Sequence, residues 1–353
     1  MNIKLILIVT VIIITIIFYL KCIHKFSIEY FTDDTIPKVT FPFKNLYDDN
    51  NNLLNIILIA APFREEKHMK LYEEYKNKKL SFCGISSYLS FPDKIENPYE
   101  DKYHEEKKHD YTEMVTSWIH CFRNVPNILS KMKHDGSQLP LLLLTEADLK
   151  DYNMYKPHKN VEKEYDFMYI CLKDNDKCEN GWQAYNRNWD LAKKCLEIMC
   201  SKYNLKGILV GRDNCEYTDK CTGLMKVIPF LPYNEFQTEM EKCRFLFVPN
   251  ISDASPRVIT EAICYNMPVL VNYNIFGGWH NVIPGITGEF FVDETDIHVA
   301  LDKLLGNFNN YIPRRWFVAN RGKMKSGAVL AEFLIKNYSN INNKNMKYAT
   351  ITI

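Results

Sequence analysis

The sequence predicts an α/β protein of two domains, each built on a parallel sheet, behind an N-terminal transmembrane helix. Three observations predict it. The chain has 353 residues, and once an N-terminal segment of about 50 is set aside, roughly 300 remain, enough for two domains of ~100–200 residues. Short apolar runs alternate with helical stretches through the second half, the pattern of parallel strands joined by right-handed crossovers. An uncharged run, LILIVTVIIITIIFYL, occupies Leu5 to Leu20.

Composition narrows the function classes. Hydrophobic residues make up 46% and charged residues 25%, the balance of a globular chain. Lysine plus arginine is 44 against 43 aspartate plus glutamate, a net charge of +1, which supplies no basic face for nucleic acid. The eleven cysteines are odd in number and spread from Cys22 to Cys264, with no paired C-x2-C spacing for zinc. Cys215 and Cys221 could bridge in an oxidising compartment, but a core of this size needs no staples, so most cysteines read as buried reduced thiols.

In chain order, residues 1–24 form the anchor and its flanks. Leu5–Leu20 falls just short of the ~17–25 residues that cross a bilayer, and Ile3 with the snorkelling Lys4 and Lys21 extends it. Large residues follow at Tyr19, Leu20, Lys21 and Cys22, so no small-residue cleavage site is present and the expectation is an uncleaved single-pass anchor. Flanking charge favours neither orientation. Residues 25–52 read as a tether, because Asp48-Asp49-Asn50-Asn51-Asn52 is too polar to bury.

Residues 53–165 form the first α/β domain. It opens on Leu53–Ala61 (LLNIILIAA), a strand buried on both faces; Leu139–Thr145 is a second such run, and the charged stretch Tyr99–Tyr111 reads as loop or exposed helix. Residues 166–310 are more regular. Strands are expected at Phe167–Leu172, Gly207–Gly211, Lys226–Leu231, Phe245–Pro249 and Pro268–Asn272, with helices at Trp189–Tyr203 and Val258–Tyr265. That order is Rossmann-like, and it places ligands in the loops after the strand ends. Residues 311–353 hold a terminal helix, Trp316–Leu334, and a tail.

The chemistry concentrates in one stretch, FLFVPNISDASPRVITEAICYNMPVLVNYNIFGGWHNVIPGITGEFF from Phe245. A buried strand ends at Pro249, a polar loop follows, and Pro256 stands where a helix could begin. A helix N-terminus there would offer free N–H groups and a positive dipole to a phosphate. Asp253 and Glu261 are acids eight apart, Gly277-Gly278 permits close backbone approach, and Gly285 and Gly288 bracket a turn.

These features, in this order, resemble the donor-binding half of GT-B glycosyltransferases, in particular glycosyltransferase family 4. The family's paired acids fall on Asp253 and Glu261, its E-A on Glu261-Ala262, its P-V-V on Pro268-Val269-Leu270, its G-G on Gly277-Gly278 and its G-x-T-G on Gly285-Ile286-Thr287-Gly288. The resemblance spans about forty residues in a domain of the right predicted type. It departs from the pattern where Asp replaces the first Glu, where Ala254 and Pro256 replace loop glycines, and at Asn266, which replaces a helix-ending glycine but tolerates the left-handed conformation. The first domain also lacks a glycine loop after its first strand.

The resemblance implies two Rossmann-like domains and transfer of a sugar from a UDP- or GDP-sugar to a hydroxyl acceptor on a glycan, lipid or protein. It implies retention of configuration and no required metal or other cofactor. Glu261 would bind the ribose hydroxyls, Asp253 the transferred sugar, and the backbone around Ser255, Arg257 and Val258 the diphosphate. Carboxylates suit hydroxyls because each accepts more than one hydrogen bond. A basic pair neutralises charge developing on the leaving nucleotide, with Arg187, Lys173 and Arg212 the candidates. His120 in SWIHCFR is the candidate first-domain histidine beside the donor sugar. Arg123, Glu146 and the turn from Gly84 to Ser87 are acceptor-side candidates.

Alternatives stay open. Asp174-Asn175-Asp176 is a D-x-D after a strand, as in metal-dependent GT-A transferases; a nucleotide-sugar epimerase shares the GT-B fold; and a tethered, non-catalytic binding protein could keep the fold with an altered donor loop. Asn250-Ile251-Ser252 is an N-glycosylation sequon against that loop, where a glycan would obstruct the site. It points, with the thiols, to a cytosol-facing catalytic domain.

Overall fold

The structure is a computed structural model that describes residues 36–93, 99, 109–158 and 161–352. The expected membrane segment Leu5–Leu20 lies outside them, as does most of Tyr99–Tyr111. Among the described residues no helix is long and apolar enough to cross a membrane.

Leu53–Ile59 is buried at all seven positions, and the reason is its place inside a sheet covered on both faces. Leu54, Ile56 and Leu58 point into one core, while Leu53, Ile57 and Ile59 point into the other. The sheet order is Thr350–Ile351, Phe43–Tyr47, Leu53–Ile59, Ser81–Ile85, Ser117–His120, Leu141–Leu143. The last four run parallel; Phe43–Tyr47 is antiparallel to both neighbours.

Two segments of this sheet depart from the sequence reading. Phe43–Tyr47 falls inside the expected tether, yet it pairs with Leu53–Ile59. The polar run that follows is its hairpin turn: Asp48 is buried, and its Oδ1 accepts from the backbone N–H of Asn50 and Asn52 at 2.9 and 2.8 Å. An Asx turn satisfies the carboxylate locally, which is how Asp48 can be buried while Asn50, Asn51 and Asn52 stay exposed. The other segment is Thr350–Ile351, from the far end of the chain.

The second sheet is parallel throughout, in the order Met225–Ile228, Gly207–Val210, Tyr165–Ile170, Cys243–Val248, Val269–Asn272, Gly288–Phe291. Helix Trp189–Ser201 packs Ala192, Cys195, Leu196 and Met199 on one face; Arg257–Cys264 packs Ile259, Ala262 and Ile263 on the other.

The expected terminal helix is two helices, Pro313–Asn320 and Gly322–Asn337. Gly322 between them has φ +90°, and a Cβ there would meet the Tyr152 ring at 2.8 Å, so the bend needs glycine. The second helix returns to the first domain, where Leu330, Ala331 and Leu334 close the core beneath Leu54 and Ile56. The chain therefore crosses between domains twice, and the crossings touch: Lys323 N–H donates to the Lys150 carbonyl at 3.0 Å. Arg314 braces the junction through the carbonyls of Tyr152, Tyr155 and Cys264.

The reading of the cysteines as mostly reduced is corrected for four of them. Cys178 pairs with Cys215 and Cys200 with Cys221, at Cα separations of 5.6 and 5.1 Å, ordinary bridging distances. Cys215 and Cys221, neighbours in sequence, have separate partners. Cys83, Cys121, Cys171, Cys195, Cys243 and Cys264 are free and buried.

Candidate active site

The C-terminal strand ends of both sheets face one interdomain cavity of about 810 Å³. Its second-domain wall is built by the loop after Cys243–Val248 and the helix that follows. Helix Arg257–Cys264 starts at Pro256, whose φ of −70° and ψ of 85° place it outside the helix as N-cap. Pro256 has no side-chain donor or acceptor, so the first N–H groups of the helix stay open toward the cavity.

Glycine at 277 and 278 explains how this loop is held. The N–H of Gly277 donates to the Asp253 carbonyl at 2.9 Å, and a Cβ at 277 would overlap the Ala254 carbonyl. Gly278 has φ +74°, and a Cβ there would press on Pro256. The second strand-end loop thus lies directly on the first, and no larger residue fits between them. In the G-x-T-G turn, Thr287 Oγ1 donates to the Asn281 carbonyl at 2.7 Å and accepts from Ile283 N–H at 2.6 Å. Asn266 is left-handed at φ +59°, the conformation expected where glycine usually stands.

Each acid in the cavity is paired with a cation. Asp253 Oδ2 lies 2.8 Å from Arg187 Nη1 and takes a second bond from Asn250 Nδ2 at 3.3 Å, while its Oδ1 accepts from Ser255 N–H at 3.2 Å. Glu261 Oε1 lies 2.7 Å from Lys150 Nζ, with both side chains at least nine-tenths buried. Glu146 Oε1 lies 2.6 Å from Lys44 Nζ, and Glu146 Oε2 is buried with no partner among the described residues. Arg187, Asp253, Ser255, Arg257, Val258 and Glu261 all line the cavity; the structure brings these six together. Tyr233 joins them: it is half-exposed, and partial burial, with Tyr155 and Glu261 beside it, pushes its phenol above the ordinary tyrosine value.

The other three candidates stand outside the lining. Lys173 Nζ turns to Asp176 and Asp213 at 3.5 and 3.6 Å. Arg212 is fully buried: its Nη2 is 3.2 Å from Asp174, its Nε donates to Cys171 Sγ at 3.2 Å, and its guanidinium sits 4.7 Å over the Trp189 ring. It fastens the loop from 174 to 186 from beneath. Asp174 is consumed in the same task, accepting from the N–H of Gly181, Gln183 and Ala184 at 3.1, 2.6 and 3.0 Å. Asp176 is 99% exposed at its side chain. Among the described residues no cluster of three or more His, Cys, Asp or Glu side chains could hold a metal ion, so the D-x-D reads as a loop clasp.

His120 ends strand Ser117–His120 and is buried. Burial pushes its imidazole below the ordinary histidine value, a Phe122 backbone bond opposes this, and nearby His280 adds to it. His280 belongs to the second domain and meets Asp148 of the first, its Nε2 2.8 Å from both carboxylate oxygens. Asp148 also accepts from Asn281 Nδ2 at 2.6 Å and Thr145 N–H at 2.7 Å. Burial alone would raise its pKa; the His280 charge and these bonds outweigh burial and bring it down to about 2. Arg123 is also an interface residue, 3.9 Å over the Tyr273 ring and 4.6 Å over Trp279. Of the Gly84–Ser87 turn, Ser87 reaches the cavity, whereas Gly84 makes room for the Trp118 ring.

Lys150, Lys44 and Tyr233 were not singled out from the sequence. Lys150 carried one signal, its place just after a strand end, where ligands gather in such sheets.

Comparison with known proteins bears on the fold. No family model and no curated protein matches the chain. Solved structures do match. Sucrose-phosphate synthase from Thermosynechococcus elongatus is similar at a TM-score of 0.52 and 11% identity, over 80% of this chain and 74% of that one. Anabaena HepE, solved in complex with UDP-glucose, is similar at 0.51 and 12%, over 79% and 78%. These neighbours are GT-B glycosyltransferases. This chain has their fold. TarM is also similar, at a TM-score of 0.47 and 14% identity over 81% of this chain, which spans about half of TarM's length, 52%.

Proposed function

We propose that the chain is a glycosyltransferase that moves a sugar from a UDP- or GDP-sugar to a hydroxyl acceptor on a glycan, lipid or protein. The observation that carries this reading is the interdomain cavity in which Asp253 and Glu261 meet Arg187, Lys150 and an open helix N-terminus. The glycosyltransferase fold and the family 4 resemblance of residues 245–291 support it from independent directions.

The resemblance supplies the roles, and the geometry supports them. In the ligand-free state each acid is capped by a cation, so donor binding is an exchange: the diphosphate takes Arg187 and the N–H groups at the start of Arg257–Cys264, and Asp253 is released to sugar hydroxyls. As the glycosidic bond breaks, negative charge grows on the leaving diphosphate, and these fixed donors stabilise it without rearranging. The acceptor enters against the first-domain wall of Lys44, Ser87 and Glu146. Retention of configuration and a metal-free reaction belong to this proposal, as does anchoring through residues 5–20, which suits a membrane-borne acceptor.

The compartment is a separate proposal. The cytosol-facing expectation rested on free thiols and the Asn250 sequon. Asn250 is buried and bonded to Asp253, so the folded chain cannot carry a glycan there on either side of a membrane. The two disulfides support an oxidising compartment.

The test is binding of UDP, GDP and their common sugar conjugates to the full chain, followed by thermal shift with and without EDTA and repeated with Glu261→Ala. A donor that raises the midpoint with EDTA present, and does so less in the variant, supports the reading. Absence of binding by every nucleotide refutes it. Ala254 and Pro256 in the donor loop favour one second reading, a binding protein without turnover, which would bind donor yet release no nucleotide product.

A further inference from the structure

Lys150 is the cavity residue that the GT-B resemblance does not account for. It sits on the interdomain crossing, just past the turn Glu146–Leu149, and its carbonyl is the acceptor that joins the two crossings. Its side chain is 7% exposed. Ammonium groups are seldom buried so deeply unless they are paired, and Nζ has two partners: Glu261 Oε1 at 2.7 Å and the Tyr155 hydroxyl at 3.0 Å. Burial alone would make it easier to deprotonate; Glu261 and Tyr155 reverse this and keep it charged. An ammonium has three N–H donors. The third has no acceptor among the described residues, in a side chain that lines the cavity.

We propose that Lys150 is a nucleotide-binding residue lent by the interdomain crossing, and that its ammonium and the Glu261 carboxylate together bind the ribose hydroxyl pair of the donor. The proposal rests on the nucleotide-sugar reading above and adds a residue to it. A vicinal diol offers two O–H donors and several lone pairs. A carboxylate alone satisfies the donors; a carboxylate beside an ammonium satisfies both, each hydroxyl donating to Glu261 while one accepts from Lys150. Lys44 and Arg187 stand at other acids, Lys44 2.6 Å from Glu146 and Arg187 2.8 Å from Asp253, so Lys150 is the cation placed at Glu261.

The experiment is calorimetric titration of the full chain with UDP and GDP and with their 2′,3′-dideoxy counterparts, in wild type, Lys150→Met and Lys150→Gln. For the nucleotide that binds, the wild type should prefer the ribose form by roughly 10-fold or more, the scale of a hydrogen bond to a charged group. In Lys150→Met the ribose form should weaken about 10-fold while the dideoxy form weakens less than about 3-fold, collapsing the preference. Lys150→Gln is one bond shorter but keeps an uncharged N–H donor group, retains part of the preference, and serves the same comparison if the methionine variant does not fold. Equal weakening of both forms would mean a structural role and overturn the proposal, as would unchanged binding of the ribose form. A wild type that binds a nucleotide without preferring the ribose overturns the Lys150 assignment alone; one that binds no nucleotide overturns the donor reading beneath it.

Discussion

Gly277→Ala isolates the contact between the two strand-end loops that shape the cavity. The added carbon has nowhere to go: it overlaps the carbonyl of Ala254, and Cys121 Cβ stands 3.1 Å away on the other side. The obstacle is backbone, which does not rotate aside as a side chain would, so the loop from Asn250 to Pro256 must retreat by about 1 Å or more in an interior packed at crystal-like density. Overpacking of this kind costs about 1–3 kcal/mol, several degrees of midpoint at about 2–4 °C per kcal/mol. The larger effect falls on the site. Asp253 rides on that loop, its carbonyl accepting from the very N–H of Gly277, and a 1 Å displacement of a positioning group costs on the order of 100-fold. Gly285→Ala is the control: its φ is +75° but nothing lies within 4 Å of the new carbon, so it carries roughly 1 kcal/mol of left-handed strain and leaves the cavity alone. The assay is scanning calorimetry beside donor titration. Equal loss of donor affinity in the two variants, or normal affinity in Gly277→Ala, would refute the account of the loop.

Two further predictions concern stability. The Asp148 carboxyl is depressed to about 2 from the ordinary aspartate value, so its contribution is present above about pH 4 and is lost as pH falls through about 2; the difference is roughly 2 kcal/mol. Melting curves between pH 2 and 5 should show that loss in wild type and a flatter profile in Asp148→Asn, which is destabilised at neutral pH because His280 loses its anion. Reduction of the two disulfides, which close loops of 37 and 21 residues by sequence separation, should lower stability by about 3–4 kcal/mol each on the chain-entropy argument, read as a fall in midpoint with reductant and absent from a variant with all four cysteines replaced by serine.

Much of the fold was legible because the parallel strands of such domains are apolar on both faces. Leu53–Ile59, broken only by Asn55, Gly207–Val210 and the Val269–Val271 part of the fifth strand of the second sheet announce themselves as apolar runs. Phe43–Tyr47 did not, because its lysine and asparagine interrupt the run and a polar cluster follows; what secures it is pairing with Leu53–Ile59 and an Asx turn, neither visible as hydrophobicity. The paired acids and the glycine pair were found because local spacing encodes a loop next to a helix start, and Arg187 through the family resemblance alone. Arg212, a candidate for the diphosphate, is instead buried over an indole, because sequence does not distinguish a guanidinium facing a ligand from one that braces a loop. Lys150 and Glu261 are 111 residues apart, and the bridged cysteines are far from their partners as well; such pairings exist only once topology has folded the chain back.

The placement of residues 350–351 at the edge of the first sheet, with helix Gly322–Asn337 beneath it, has a consequence for biosynthesis. The half built on the second sheet is continuous from residue 165 to 306, so its core does not depend on the first half. The half that precedes it emerges first yet lacks a wall of its own core until residues 330–351 are made. Domains usually fold in the order they are synthesised; here the earlier one must wait, with Leu54, Ile56 and Leu58 uncovered on one face, for a segment that arrives after its neighbour is complete.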